Sequence, residues 1–358
     1  MPASALPPAF TLKIADAELD KELMEHMIRI EMSESVSALD AITIEFSVPM
    51  TADRYTLIKA SEKWIGAEYC FECVSGGVKS KQYKGMLMGM THDFGRDATW
   101  KITLTGVDQL AKLRRGRVPN EANWQSLKDA ISTMASEVGL SAGDILEYQP
   151  TDKELQQNEK EDLAFLSEFA KKVGFAVREL DGKLHFMPTV ADHAAKSSAS
   201  VSWKKDVVSM NLTADISGVY SKVMTVAYDS KAVEDIKAEA DKGALKAYSG
   251  GKTGAEFVSS AWKTDRMMFL PAQVDRSSSE LKQEAEGKLK ESNMSFIKGK
   301  VTLYGRPDIH AGSKVTVKDG HWPLSGDFFV NQVNHSIAPG AGFKTTLDIV
   351  SDSLPTGP

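Results

Sequence analysis

Two cysteines with CxxC spacing are the first residues that could do chemistry. Cys70 and Cys73 are separated by Phe71 and Glu72. A redox pair of this kind opens a helix, and a structural zinc site needs a second pair of ligands. Here the pair falls in a predicted strand, where residues three apart point to opposite faces. The sequence has no second CxxC, so we interpret both cysteines as structural thiols.

A glycine-rich run at Gly250-Gly-Lys-Thr-Gly254 is similar to part of a phosphate-binding loop. The P-loop needs a glycine five residues before its Gly-Lys pair, and Lys246 occupies that position here. No apolar strand precedes the run. We therefore predict a flexible surface turn rather than a nucleotide site.

Histidines and carboxylates complete the search for a site. The seven histidines form neither an HExxH motif nor a close pair on a helix; they are His26, His92, His185, His193, His310, His321 and His335. The cluster of Glu159, Glu161 and Asp162 is typical of a helix N-terminus, where the helix dipole favours negative charge. No GxSxG elbow is present. We predict no catalytic residue, cofactor or metal, and the sequence does not identify interface residues.

Composition excludes several classes of protein. The chain has 358 residues, of which 42% are hydrophobic and 26% charged, and this is globular composition. A net charge of -6 disfavours non-specific nucleic-acid binding, although Arg114, Arg115 and Arg117 form a local basic patch. No apolar stretch is long enough for a spanning helix, and Met1 to Phe10 lacks the features of a signal peptide. Synthesis in the cytoplasm, with no membrane span, is the expectation.

The elements that would position any site fall into three parts. Residues 1–9 are Pro-rich and predict a loose arm. Alternating apolar residues then predict strands from Met27 to Val48, and further strands follow at 64–74, 83–92 and 99–107. Helical spacing appears at Trp124–Val138 and Asp162–Val173, with Gly139 and Gly174 after them.

The rest of the chain returns to short strands. An Asp181-Gly182 turn predicts a hairpin after the second helix. Residues 189–200 are predicted to be a linker. A helix is predicted from Ser277 to Ser292, capped by serine with Glu280 behind it. Residues 231–262 are polar and poor in aromatic residues, and this composition predicts a mobile insertion at the exterior.

An internal repeat connects the two β-rich ends. Residues 335–350 align without a gap on residues 92–107, at an offset of 243. Six of these positions are identical: His92/His335, Ala98/Ala341, Lys101/Lys344, Thr103/Thr346, Leu104/Leu347 and Val107/Val350. Because both segments fall on a predicted strand, turn and strand, the alignment indicates two copies of one β-domain separated by an α/β insertion.

Several motifs resemble the phage late control protein D family. They occur in order from about residue 60 to residue 350. The first is Trp124-Gln-Ser-Leu-Lys-Asp-Ala-Ile131. The second runs from Glu161 through Phe165-Leu166 and Gly174 to Gly182-Lys-Leu-His-Phe186. The C-terminal motifs are Gly305-Arg-Pro-Asp-Ile-His-Ala-Gly-Ser-Lys-Val-Thr-Val317, Leu324-Ser-Gly-Asp-Phe-Phe-Val-Asn-Gln-Val-Asn-His335 and Gly342-Phe-Lys-Thr-Thr-Leu347.

The resemblance implies a fold and a role. Members of that family resemble the baseplate hub of contractile phage tails and the N-terminal hub region of VgrG spike proteins. The implied fold is α+β and β-dominated, with two tube-like β-barrel domains at 1–117 and 196–358, the latter carrying the polar insertion at 231–262. A small α/β domain at 118–195 separates them.

The implied assembly is a homotrimeric ring at the tail baseplate of a phage or tail-like particle. The hub adapts the sixfold tail tube to the threefold spike, so spike, tube and other baseplate subunits are the expected partners. Since the chain stops at 358, the spike is expected to be a separate protein. Two other hypotheses stay open: a baseplate-associated cell-wall hydrolase and a cytosolic DNA-binding regulator.

Overall fold

The computed structural model describes most of the chain. The described residues are 9–19, 21–49, 59, 61–95, 99–116, 124–146, 148, 150, 155–157, 160–189, 198–274 and 276–356. The predicted arm at 1–9 therefore lies outside the description except for Ala9, and so does most of the predicted linker at 189–200. Strands dominate what is described, as expected from the sequence.

Strands occur along the whole described chain. Those of the N-terminal third are β1 Ala9–Ile14, β2 Ala17–Glu18, β3 Met27–Ser35, β4 Ala41–Pro49, β5 Glu68–Ser75, β6 Val78–Lys79, β7 Tyr83–Phe94 and β8 Thr99–Asp108. The middle strands are β9 Ser141–Ile145, β10 Phe175–Leu180 and β11 Lys183–Pro188. The remaining strands are β12 Ser198–Ser202, β13 Val207–Ala214, β14 Lys222–Asp229, β15 Glu234–Asp241, β16 Gly250–Thr253, β17 Met267–Phe269, β18 Gln273–Val274, β19 Ile297–Tyr304, β20 Lys314–Lys318, β21 Gly326–Ala338, β22 Gly342–Ser351 and β23 Ser353–Pro355.

Five α-helices are described. They are α1 Lys21–Glu25, α2 Leu127–Glu137, α3 Asp162–Val173, α4 Gly254–Trp262 and α5 Ser278–Met294. Ser277 and Glu280 form the predicted capping box of α5, and Gly174 ends α3 in the left-handed conformation. Within the described residues, no helix combines the length and apolar character needed to cross a membrane.

The first β-rich part is organised around five strands in the order β3-β4-β8-β7-β5, which we call the first unit. Alternation explains its core, because Ile42, Ile44, Phe46 and Val48 of β4 are all buried. Among the apolar residues that were expected to alternate into the core along β3 and β4, only Ile28 is exposed. A bulge between Met27 and Arg29 shifts the phase of β3 at this point.

The second β-rich part contains five strands in the order β13-β19-β22-β21-β20, which we call the second unit. The two units join into one 14-stranded sheet, since β21 pairs antiparallel with β3. The expectation of two closed tube-like barrels was wrong for the described strands, none of whose sheets closes into a barrel. The physical reason is that the outer edge of β3 is hydrogen-bonded to β21 of the second unit. This edge is therefore not available to close the first unit into a barrel.

The register of the strands repeats between the units. In the β7–β8 hairpin His92 lies opposite Ile102, and in the β21–β22 hairpin His335 lies opposite Thr345, which is the same pairing displaced by 243. Each hairpin also has its bulge at the same position, between Leu87 and Gly89 or between Val330 and Gln332. The repeat found in the sequence is thus matched residue by residue in the hydrogen-bonded ladder.

The correspondence extends to the other three strands at different offsets. The registers relate β4 to β19 by 257, β3 to β13 by 180, and β5 to β20 by 246. The bulge between Met27 and Arg29 recurs between Val207 and Ser209. The units differ at the next strand, because β1 pairs antiparallel with β5 whereas β12 pairs parallel with β20.

The middle of the chain contains the two predicted helices and the predicted hairpin. Helices α2 and α3 pack with the β10-β11-β9 sheet around a core that includes Ile131, Phe165, Phe169 and Phe186. Helix α5 joins this layer. Gly174 at the end of α3 approaches Gly287 of α5 so closely that a Cβ atom on either glycine would meet backbone of the other segment.

The prediction of a mobile insertion at residues 231–262 was wrong, because this segment is packed against the rest of the chain. Strand β15 pairs along its whole length with β14, and α4 places Val258 in the core of the second unit. Small side chains allow this segment to pack closely although it has few large apolar residues. Ala238 and Ala240 are small enough for β15 to lie directly against Leu281 and Leu289 of α5.

Candidate functional site

The cysteine pair lies in β5 with its two side chains on opposite faces, as predicted. Cys73 is buried and Cys70 is partly exposed, and both are free. Burial raises the pKa of the Cys73 thiol to about 11, opposed by a hydrogen bond with Ser80. Since the thiolate is the reactive form, the position does not favour thiol chemistry.

The glycine-rich run is ordered, so the predicted flexible turn was wrong. Gly250–Thr253 form β16, and Thr253 caps α4 through a capping box with Glu256. The first backbone donors of the helix are already used: Gly254 donates to the carbonyl oxygen of Asp352 at 2.9 Å, and Ala255 donates to Asn293 Oδ1 at 2.9 Å. A phosphate-binding cradle needs these donors free.

The acidic cluster and the basic patch meet in the structure. Arg115 contacts the carboxylates of Glu137 and Asp162. Asp162 is buried at the start of α3 and also accepts from Gln157 Nε2 at 2.6 Å. Arg117 and Glu159 lie outside the described residues. His185 is packed, and its Nδ1 accepts from the Asp144 backbone at 3.0 Å. These groups stabilise the α/β layer.

The two repeat-related histidines occupy different environments. Nδ1 of His335 is 3.0 Å from Thr345 Oγ1, and the side chain is 2% exposed. His92 is exposed, and Trp100 Nε1 donates to its Nδ1 at 2.9 Å. The difference arises because β3 lies beside β21 and covers His335, whereas no described strand lies beside this part of β7.

A buried charged cluster, centred on Glu34 of β3, lies where the two units meet. Tyr83 Oη donates to Glu34 Oε1 at 2.6 Å, and His310 Nδ1 is 3.0 Å from the same oxygen. Lys81 Nζ is 3.1 Å from Glu34 Oε2 and 3.2 Å from Asp40 Oδ2. His335 Nε2 of β21 is 3.8 Å from the same Oε1, so the cluster connects the first unit to the loop before β20 and to β21.

The cluster extends to the α/β layer and to a second carboxylate. Arg178 of β10 donates to the carbonyl oxygen of Ala311 at 2.7 Å, one residue after His310. The Asp40 backbone donates to Asp108 Oδ2 at 2.8 Å. Burial, together with the charge of Asp40, raises the pKa of Asp108 to about 7. All three parts of the chain thus meet around these groups.

Opposing effects determine the charge of Glu34. Burial would raise the pKa of this carboxyl, but the charge of Lys81 and the hydrogen bond with His310 outweigh burial and hold the pKa well below its ordinary value. Glu34 is therefore a buried carboxylate stabilised by the ammonium of Lys81, whose side chain is only 14% exposed. Such a pair specifies how its elements fit together, because loss of either partner leaves an uncompensated charge.

Glu34, His310 and His335 also form the one group of potential metal ligands found among the described residues. Their ligand atoms lie within 4.8 Å of one another, and two imidazoles with a carboxylate suit zinc. The Lys81 ammonium already provides the positive charge beside Glu34, and Tyr83 and His310 already occupy Oε1. The geometry therefore favours an internal ion network. The absence of a bound metal stays a prediction, which elemental analysis would test.

Acid is expected to weaken the fold through His335. Burial lowers the pKa of His335 to about 4, against an ordinary value of 6.5. The folded protein holds this ring in its neutral form. Its contribution to the free energy of unfolding is therefore complete above pH 6.5, and about 3 kcal/mol of it is lost as the pH falls towards 4. We expect the difference in unfolding free energy between the wild type and His335→Gln to shrink by that amount over this range in urea titrations.

The control for this measurement is His92→Gln, which changes the matching but exposed position of the other unit. Asp108 contributes a slope of opposite sign below pH 7, but it does so equally in each protein and cancels in the difference. Wild-type and His335→Gln stabilities that run parallel between pH 7 and pH 4 would contradict the assignment.

Similar proteins were found by family and by structure. Residues 74–339 match the family model described as the Alg8 N-terminal domain. No curated protein sequence matches the chain significantly. Among solved structures, a tail protein from Neisseria meningitidis MC58 is 16% identical with a TM-score of 0.66, over 97% of each chain.

Two further structures have the same fold. The 43 kDa tail protein of prophage MuSo2 from Shewanella oneidensis is 15% identical, with a TM-score of 0.65 over 95% of this chain and 98% of that one. An E. coli component of the type VI secretion system, described as similar to T4 tail proteins gp27 and gp5, is 12% identical, with a TM-score of 0.57 over 97% of this chain and 79% of that one. The resemblance to tail hub proteins is confirmed at the level of the fold. The link to late control protein D stays a prediction.

Proposed function

The chain belongs to the Alg8 N-terminal domain family, and from its phage tail protein fold we propose that it is a structural subunit of a contractile tail or tail-like injection system. Its role is that of the baseplate hub, which connects the tail tube to the spike. It acts by assembly and not by catalysis. The glycine-rich run, His185, His310 and His335 are held in structural contacts, and this supports the assignment.

The observation that carries the proposal is the repeated register of the two five-strand units. A chain with two equivalent units presents six of them when three copies form a ring. Such a ring is sixfold towards a tube and threefold towards a spike, so it resolves the mismatch between the two symmetries. The partners are two further copies of the chain, the spike, the tube and other baseplate subunits. The location is the tail baseplate, after synthesis in the host cytoplasm.

The test is assembly, measured by native mass spectrometry on the full chain. We expect a trimer in concentrated solution or on addition of the spike and tube proteins of the same particle. A peptidoglycan-release assay on the same sample is expected to show no activity. A chain that stays monomeric with both partners present, or that releases peptidoglycan, would argue against the hub and, in the second case, for a cell-wall hydrolase.

A further inference from the structure

Within the two five-strand units, two strand edges have no described strand beside them. One is the outer edge of β13, which pairs only with β19. The other is the outer edge of β7 from Gly89 to Phe94. Strand β5 accompanies β7 only from Tyr83 to Met86, and the backbones of Leu87 and Ala67 continue that contact by one residue.

The strands that correspond to these two edges in the repeat are hydrogen-bonded to each other inside the chain. β13 corresponds to β3, and Gly89–Phe94 corresponds to residues 332–337 of β21. β3 and β21 are hydrogen-bonded from Ser35 opposite Gln332 to Ile30 opposite Ile337. The junction inside the chain thus shows how such a pair of edges fits together, and each free edge is the counterpart of one side of it.

We propose that β13 of one copy pairs antiparallel with β7 of a second copy, in the register of the β3–β21 contact. The strand offsets then place Leu212 opposite His92, Met210 opposite Phe94 and Thr213 opposite Thr91. The inference rests on the proposed function, and it specifies the surface through which copies of the chain join.

Burial supports this pairing on the inward face. On β21, Val333, His335 and Ile337 are buried by β3, while their counterparts on β7 are Met90, His92 and Phe94, the last of which is 59% exposed. On β3, Ile30 and Met32 are buried by the same contact. Their counterparts are Met210 and Leu212, which are only partly buried. A neighbouring copy would cover apolar side chains that the single chain leaves open to water.

Residue types on the outward face fit the same arrangement. Thr91, Asp93, Asn211 and Thr213 are polar and exposed, as expected for a face that stays in solvent. Free edges are commonly protected by charged side chains. β13 has no charged residue, and Gly89–Phe94 has only Asp93, so charge protects the β13 edge nowhere and the β7 edge at a single position.

The contact joins two different edges, so it is heterologous. Head-to-tail contacts of this type give a closed ring when the rotation closes and an open filament when it does not. If three copies close the ring, every unit contacts its neighbours through the same ladder. Contacts within a chain then alternate with contacts between chains.

Disulfide trapping tests the register. Opposed residues on one face of antiparallel strands have Cβ atoms about 4.5–5.5 Å apart, which is close to disulfide geometry. Thr91→Cys combined with Thr213→Cys is expected to give covalent oligomers on non-reducing gels, with peptides linked between these two positions. Mass spectrometry of the linked peptides separates this bond from bonds to Cys70 or Cys73.

Two matched variants make the test specific. Ser33→Cys with Asn334→Cys places the same pair at the junction inside the chain and should give an intrachain disulfide. Thr91→Cys with Asn211→Cys keeps the same face but is two residues out of register, so it should give little crosslinking. Equal crosslinking by the in-register and out-of-register pairs would overturn the inference.

The outcome also separates the inference from the proposed function. A native trimer without the 91–213 bond would mean that the copies join through another surface, in which case the hub proposal stands and the edge pairing fails. A chain that remains monomeric with spike and tube proteins present would contradict both. Phe94→Asp gives an independent measurement, and it is expected to reduce assembly without lowering the melting temperature of the monomer.

Discussion

Replacing Lys81 with methionine is expected to lower the free energy of unfolding by about 3–5 kcal/mol, as measured by urea denaturation near pH 7.5. Glu34 is fully buried, and the Lys81 ammonium is the cation closest to it. Methionine retains most of the packing volume of lysine but removes the charge. The carboxylates of Glu34 and Asp40 would then lie close together without the ammonium that holds both.

A neighbouring lysine provides the matched control. Lys79 Nζ is 2.9 Å from Glu72 Oε1, but its side chain is 61% exposed. Because solvent screens such a pair, Lys79→Met is expected to cost less than about 1 kcal/mol. Equal losses from the two variants would show that the Lys81 cluster has no special role at the junction.

A double variant tests whether the loss comes from the charge. Glu34→Gln removes the carboxylate charge, so Glu34→Gln with Lys81→Met should be more stable than the sum of the two single changes predicts. Coupling energies between contacting residues are about 0.5–3 kcal/mol. Strict additivity would mean that Lys81 acts through packing alone.

Some of this cluster was visible in the sequence and some was not. Glu34 continues the alternation of Ile30 and Met32, so its position on the inward face of β3 follows from period two. A glutamate in that phase is itself a signal of a buried charge that needs a partner. Its partner His310 is 276 residues away, in a loop whose position depends on the packing of the second unit. No local pattern identifies such a partner.

The repeat shows a similar limit. An ungapped alignment found the hairpin because both of its strands share the offset of 243. The other three strands have offsets of 180, 257 and 246, since the connections between them differ in length. The register and the bulges reveal them because hydrogen-bonded pairing depends on strand geometry and not on the lengths of the connections.

The misinterpretation of residues 231–262 has a different cause. Low aromatic content predicted weak packing, but a strand that lies flat under a helix needs small side chains. Ala238 and Ala240 provide this closeness beneath α5. Composition measures the amount of apolar surface in a segment and is insensitive to how closely the segment approaches its neighbours.

Deleting Lys231 to Lys252 is therefore expected to disrupt the second half of the chain. The deletion removes β15 and leaves Val223 and Ala227 of β14 without their cover, together with the face of α5 that carries Leu281 and Leu289. It also removes the hydrogen bonds from the Tyr248 backbone to Asp352 Oδ1 at 2.7 Å and from the Ser249 backbone to Ser353 Oγ at 2.9 Å.

The expected result is a fall in melting temperature on the order of 10 °C or loss of cooperative unfolding, since each kcal/mol corresponds to a few degrees in a protein of this size. The control changes only the turn between β14 and β15. Replacing Ser230–Val233 with Asn-Gly keeps Asp229 opposite Glu234 and suits a two-residue hairpin, so it should be tolerated. If the deletion melts as the wild type does, β15 adds nothing to the core, and the small alanines beneath α5 lose the role assigned to them.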